Sequence, residues 1–156
     1  LKEVQQINTA QKERFLKSIR DTLWVLREKK IAVWGLTFKP DTDDIRSSVA
    51  IDLVAEMLRE GAQVSVYDPK GMERAREVAE IKAARFCNTA IEAVERAEAL
   101  VIATEWEEFA NVDLAVVKQK MTTPIVFDGR NLFDPPTMAK VGFHYHSIGS
   151  NPVTPS

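Results

Sequence analysis

A doubly wound, mostly parallel α/β sheet of six strands, entered from one long amphipathic helix, is the architecture predicted for these 156 residues. Three observations lead there. From Ile31 onward, short apolar runs alternate with helical stretches, as strands and crossover helices do. The runs are apolar almost throughout rather than at every second residue, which fits strands covered on both faces. Before Ile31, apolar residues instead recur at Leu16, Ile19, Leu23 and Leu26, continuing a weaker stripe through Val4 and Ile7, and this three-and-four spacing is helical.

The helix is predicted over residues 1–29, a length of about 40 Å. That exceeds what covers one small core, so it reads as a connector to further sequence or a subunit contact, with an ordinary packing helix as the alternative. Six strands are then predicted at Ile31–Leu36, Gln63–Asp68, Ala84–Cys87, Ala99–Thr104, Pro124–Gly129 and Phe143–Ile148. Helices are expected near Ser48–Glu60, Met72–Ala79, Ala90–Arg96, Asp113–Lys120 and Pro135–Lys140, with Gly61 as a terminator. Right-handed crossovers favour the strand order 3-2-1-4-5-6. The sheet domain spans residues 30–150, and residues 151–156, NPVTPS, read as a linker or frayed tail.

With 45% apolar residues the chain can bury one core, and a second complete domain does not fit. A formal charge of −2 with interspersed signs points to neither nucleic acid nor an anionic membrane, so any cationic site is local. The single cysteine, Cys87, makes no internal disulfide and fits a reducing, cytoplasmic setting. No apolar run reaches membrane-spanning length. The chain starts at Leu1, inside the predicted helix and without an initiator methionine, and reads as a piece of a longer protein.

Ligands of doubly wound sheets bind beyond the carboxyl ends of the strands. That places residues 37–46 after the first strand, Asp68 after the second, residues 104–106 after the fourth, and Arg130 and Asn131 after the fifth on one edge. The segment GLTFKPDTDDIRSS brings Lys39 and Arg46 to a loop that enters a helix, a setting suited to an anion. The plain alternative for Arg46 is an ion pair with Asp41, Asp43 or Asp44, and for Arg130 a surface ion pair. The dinucleotide fingerprint G-x-G-x-x-G is absent from this turn, so Asp68 reads as a turn former with Pro69 rather than a ribose ligand. His144 and His146 are too few for a structural zinc. Cys87 has no neighbouring base in sequence, and Trp24, Trp34 and Trp106 read as packing residues.

The runs GLTFKPDTDDIRSS, VSVYDPKGME, FDGRNLFDP and GFHYHSIG, in this order, resemble the carboxyl-terminal domain of UDP-glucose 6-dehydrogenases, and the first helix resembles the end of the central helix that joins that family's two Rossmann-like halves. The resemblance implies oxidation of a sugar C6 alcohol to a carboxylate by two NAD-dependent hydride transfers, with this domain holding the UDP part of UDP-glucose. It implies that Phe38, Lys39 and Arg130 contact the nucleotide sugar. Arg46 would reach the NAD phosphates from across the interdomain cleft. The amino-terminal NAD-binding domain and the catalytic cysteine fall in family segments before Leu1, so no catalytic residue is expected here, and the isolated chain is expected to be inactive. The central helix implies a homodimer. Ser47 departs from the family, which usually carries an acid after the arginine.

Two other readings stay open. A related dehydrogenase would act on GDP-mannose or a UDP-N-acetylhexosamine, and Phe38 stacks on any base. A non-catalytic assembly or regulatory module would use the first helix to associate.

Overall fold

Helix α1 (Lys2–Leu23) leads into β1 (Lys30–Trp34). There follow α2 (Val49–Arg59), β2 (Gln63–Tyr67), α3 (Met72–Arg76), a 3-10 turn at Ala79–Ile81, β3 (Arg85–Phe86), α4 (Ala90–Val94), β4 (Ala99–Ile102), α5 (Glu107–Ala110), α6 (Leu114–Lys120), β5 (Ile125–Asp128), α7 (Pro135–Val141) and β6 (His144–Ser147). This computed structural model describes residues 2–148 and 150–156, with side chains from residue 10 onward. The side chains of Val4 and Ile7, and Gly149, lie outside the described residues.

The strands form one six-stranded sheet in the order β3-β2-β1-β4-β5-β6, and each pairing is parallel, as predicted. The registers Trp34↔Tyr67, Trp34↔Ile102, Ile102↔Asp128 and Asp128↔Ser147 bring five strand ends into one row. The loops that follow therefore share an edge.

Both faces of the sheet are buried. Ile31, Val33, Val64, Val66, Val101 and Phe127 pack in one cluster with Leu16 and Ile19 of α1 and Leu53, Val54 and Met57 of α2. On the other face Ala32, Trp34, Leu100, Ile102, Val126 and Tyr145 meet Phe109, Val117 and Met138. Trp34 is fully buried, stacks on Phe109 at 5.2 Å and donates its indole N–H to Ala90 O at 3.0 Å. No helix among the described residues is long and apolar enough to cross a membrane.

The first helix ends earlier than its periodicity predicts. Trp24 takes a left-handed φ of 68° and closes the helix by donating its N–H to Arg20 O. Glu28 then donates to Gly61 O, and Lys29 O accepts from Gln63, so the backbone has joined the sheet region before residue 30. Leu26 still reaches the core, but from a loop. The stripe Leu16, Ile19, Leu23 and Leu26 packs in the domain's own core, which corrects its reading as an association surface. Trp24, read as packing, is 86% exposed.

Two smaller differences concern the later elements. The four-residue α5 was not expected, because EEFA is too short to carry a period. The tail is not frayed: Val153 and Tyr145 exchange backbone hydrogen bonds of 2.9 and 3.0 Å as an isolated antiparallel bridge beside β6.

Candidate functional site

Four loops meet at the carboxyl edge. The first leaves β1 through Gly35, whose φ of 98° is one that side-chain-bearing residues rarely adopt. A Cβ at this position would lie 2.5 Å from Thr104 Cβ, so the β1 and β4 loops cross where only glycine fits. Thr104, fully buried, fixes the crossing by donating its hydroxyl to Thr37 O at 2.9 Å.

Asp68 organises this edge. It is 1% exposed, and its Oδ2 accepts from Leu36 N at 2.7 Å, Thr37 N at 3.2 Å and Trp106 Nε1 at 3.2 Å, with the Thr37 hydroxyl also at 3.2 Å. Its Oδ1 accepts from Lys70 N at 2.9 Å and Gly71 N at 2.7 Å. The turn role read from Asp-Pro accounts for one oxygen. The other ties the β1 loop to the β4 loop. Trp106 thus packs and also donates, and its role as a clamp was not visible in the sequence.

Asp128 does the same work at the end of β5. It is fully buried, and its Oδ1 accepts from Arg130 N at 2.9 Å while its Oδ2 accepts from Leu132 N, Phe133 N and the Tyr145 hydroxyl, the last at 2.6 Å. Burial, followed by this bond to a carboxylate, pushes the Tyr145 phenol well above its usual range. Asp128 has no assigned role among the expectations from sequence. Its signal was Asp-Gly after an apolar run, a pattern in which the aspartate bonds backbone two residues on.

The predicted cations sit on these loops in different states. Lys39 is exposed and makes no ion pair among the described residues; its carbonyl accepts from the Thr37 hydroxyl at 2.9 Å. Phe38 is 44% exposed, an uncovered ring beside that lysine. Arg46 is exposed and bonds Asp44 through Nε and Nη2, both at 3.0 Å, and through its backbone N–H at 2.9 Å. Of the three candidate acids, Asp44 is the partner, while Asp43 takes Arg74 at 2.9 Å. Arg130 makes a bidentate pair with Glu105 at 2.7 and 3.0 Å. Phe38, Lys39 and Arg46 are joined through Phe38 N donating to Asp44 O, and Thr37 carries the connection to Thr104, next in sequence to Glu105. The loop carrying Phe38, Lys39 and Arg46 is thus tied to the loop carrying Glu105, the partner of Arg130, while each arginine grips its own acid.

Such half-exposed pairs are weak. An exposed salt bridge of the Arg130–Glu105 kind is worth about 0–1 kcal/mol, so a phosphate that offers the same bidentate geometry competes with the carboxylate. The Asp44 pair has a direct readout, because the Arg46 hydrogen bonds hold its carboxyl at about 2 against an ordinary 3.8. The folded value is depressed, so the associated stability is present above about pH 4 and lost as the pH falls toward 2. Arg46→Ala is expected to return Asp44 to its ordinary range in a carboxyl NMR titration. No movement of that titration would remove the pair.

Two further groups are structural. Burial pushes the Cys87 thiol up, away from a nucleophile's range. Burial and His144 lower His146, which stacks on Phe127 at 4.9 Å.

Comparison with known proteins gives the family. A UDP-glucose 6-dehydrogenase of Rhizobium meliloti is 49% identical over 124 residues, covering 80% of this chain and 28% of that protein. The enzyme of the same name from Pseudomonas aeruginosa is 36% identical over 156 residues, covering 96% of this chain and 34% of its own length. The chain thus spans about a third of these relatives. A UDP-glucose dehydrogenase structure from Pyrobaculum islandicum superposes with a TM-score of 0.77 at 28% identity, over 93% of this chain and 31% of that one. Residues 32–135, which run from β1 into the start of α7 and include all four loops of the edge, match the UDP-glucose/GDP-mannose dehydrogenase family, UDP binding domain, and the chain belongs to that family.

Proposed function

We propose that the chain is the nucleotide-sugar-holding part of an NAD-dependent UDP-glucose 6-dehydrogenase that converts UDP-glucose to UDP-glucuronate, working within a polypeptide longer than itself. The supporting observation is the uncovered pair Phe38 and Lys39 on a loop that Asp68 fixes from beneath. Phe38 offers its face to the base and Lys39 its ammonium to the diphosphate. Arg130 transfers its bidentate grip from Glu105 to a phosphate oxygen. These contacts orient the sugar and supply binding energy, and the reacting carbon lies elsewhere.

NAD, when bound to the whole protein, accepts the hydride. This chain does not form a dinucleotide cradle: bulky Leu36–Pro40 fills the first turn, and the Asp68 carboxylate is buried under loop donors and unable to meet a ribose. Arg46, exposed on the rim, is the residue left to touch a cofactor phosphate held by another domain. With that domain and the catalytic cysteine supplied from outside this chain, the chain alone turns over no substrate. A cytoplasmic homodimer formed through the first helix belongs to the same proposal. With the Leu16 to Leu26 stripe committed to the core, its contact falls to the outward face of α1 together with Trp24 and Val25, which follow the helix and are both exposed.

Calorimetric titration of the chain with UDP, GDP and NAD tests the reading. UDP is expected to bind more tightly than GDP, and Lys39→Ala to weaken UDP by about 1.5–3 kcal/mol, the worth of a charged hydrogen bond. Preference for GDP would move the assignment to a GDP-sugar enzyme. Binding of none of the three would remove the ligand role.

A further inference from the structure

The opposite edge of the sheet carries a second concavity, a groove of about 670 Å³ at the amino ends of the strands, about 16 Å from the carboxyl edge along a five-residue strand. It is lined by Lys30, Gln63, Ser65, Arg85, Glu95 and Arg96 among others. The fold leaves it open for two reasons. α4 stops at Val94 after five residues, and β3 pairs with β2 only at Ser65↔Arg85 and Val66↔Phe86, so the start of β2 has no neighbour on that side. The half-buried Ser65 lines this groove beside Cys87.

Three basic residues, all exposed, line this groove in a protein whose net charge is −2. Arg85 shares Glu92 at 3.1 Å, while Lys30 and Arg96 have no side-chain ion pair among the described residues. Of the facing acids, Glu95 lines the groove, and Glu98 is engaged by Lys30 N and lies 4.0 Å from Lys29 Nζ. Arg96 is the most informative of the set. It follows the C-cap of α4 with a φ of 61°, a position where helices favour glycine or asparagine because a Cβ is strained there. Its backbone is held by Arg96 N donating to Lys120 O at 2.8 Å and by the Thr122 hydroxyl donating to Arg96 O at 3.2 Å. The main chain accepts that strain at an exposed arginine that lines the groove, and a five-residue helix has too small a dipole to account for a cation there.

We propose that this groove binds a small multivalent anion, a phosphate-bearing metabolite no larger than a mononucleotide, with Lys30, Arg85 and Arg96 on its phosphates and Ser65 on the floor. The volume lies within the range of small-molecule sites. The site is separate from the nucleotide-sugar edge and does not depend on that reading.

The test is an NMR titration of isotope-labelled chain with inorganic pyrophosphate and, in a second arm, AMP, at matched ionic strength against sodium chloride. Saturable amide shifts are expected at Gln63, Ser65, Arg85 and Arg96, and the tighter of the two probes identifies the source as inorganic or nucleotide. Arg96→Gly relieves the backbone strain, so it is expected to keep or raise the melting temperature while weakening binding at least tenfold. Lys30→Glu should weaken binding as much. Shifts confined to Lys39 and Arg46, no saturation by 10 mM ligand (roughly the weak limit of a specific site), or undiminished affinity in Arg96→Gly would overturn the proposal.

Discussion

Asp68→Ala is expected to destabilise the chain by about 3–5 kcal/mol, because it leaves several buried donors from three loops without an acceptor. Leu36 N, Thr37 N, Gly71 N and Trp106 Nε1 all converge on this one carboxylate. Against a total stability of about 5–15 kcal/mol for a domain, such a loss is a large part of the whole. Urea unfolding followed by tryptophan fluorescence measures it, and a loss under about 1 kcal/mol would show that water replaces the carboxylate. Asp68→Asn refines the point. One amide oxygen can serve one set of donors, but the NH2 then faces the other, so more than half of the effect should remain. The variant is also expected to abolish UDP binding in molecules that stay folded, since the loop carrying Phe38 and Lys39 rests on this residue.

Gly35→Ala is the second large effect, at about 2–4 kcal/mol, combining a disfavoured backbone region with overpacking. The added methyl would meet Thr104 Cβ at 2.5 Å, its Oγ1 at 2.6 Å and its backbone N at 2.7 Å. Two of those atoms belong to a side chain and one to backbone, and this makes the prediction separable. Thr104→Gly in the Gly35→Ala background should recover part of the stability but not all, because the 2.7 Å approach to backbone and the φ of 98° persist. Full recovery would assign the whole cost to the threonine side chain. Both substitutions act where the β1 and β4 loops cross, so each should also displace Glu105 and loosen the Arg130 pair.

The sheet was legible because its strands are buried on both faces. A run such as ALVI has one physical home, and right-handed crossovers leave few orders for six such runs. Element ends were less legible. Leu26 keeps the helical spacing of Leu23 and is buried like it, yet it reaches the core from a loop because Glu28 and Lys29 are drawn into bonds with Gly61 and Gln63, more than thirty residues on.

The site divides along the same line. Lys39, Arg46 and Arg130 could be placed on the carboxyl edge because a cation after a buried strand is a local pattern. Their partners obeyed different rules. Asp44 lies two residues from Arg46 and was among the acids weighed, whereas Glu105 lies 25 residues before Arg130 and meets it only because β4 and β5 are neighbours. Half of the Asp68 role is local, in its bonds from Lys70 and Gly71, while Leu36, Thr37 and Trp106 are 31 to 38 residues away.

From composition and periodicity alone came the strands, their order and the edge on which a ligand would meet basic side chains, because burial and charge are properties each residue carries with it. Only the folded chain decided which of those cations is unpaired, which aspartates hold the loops, and that Trp24 faces solvent while Leu26 does not. Those outcomes depend on groups far apart in sequence arriving within hydrogen-bond distance, and a donor's partner is fixed by the geometry of the fold rather than by its neighbours along the chain.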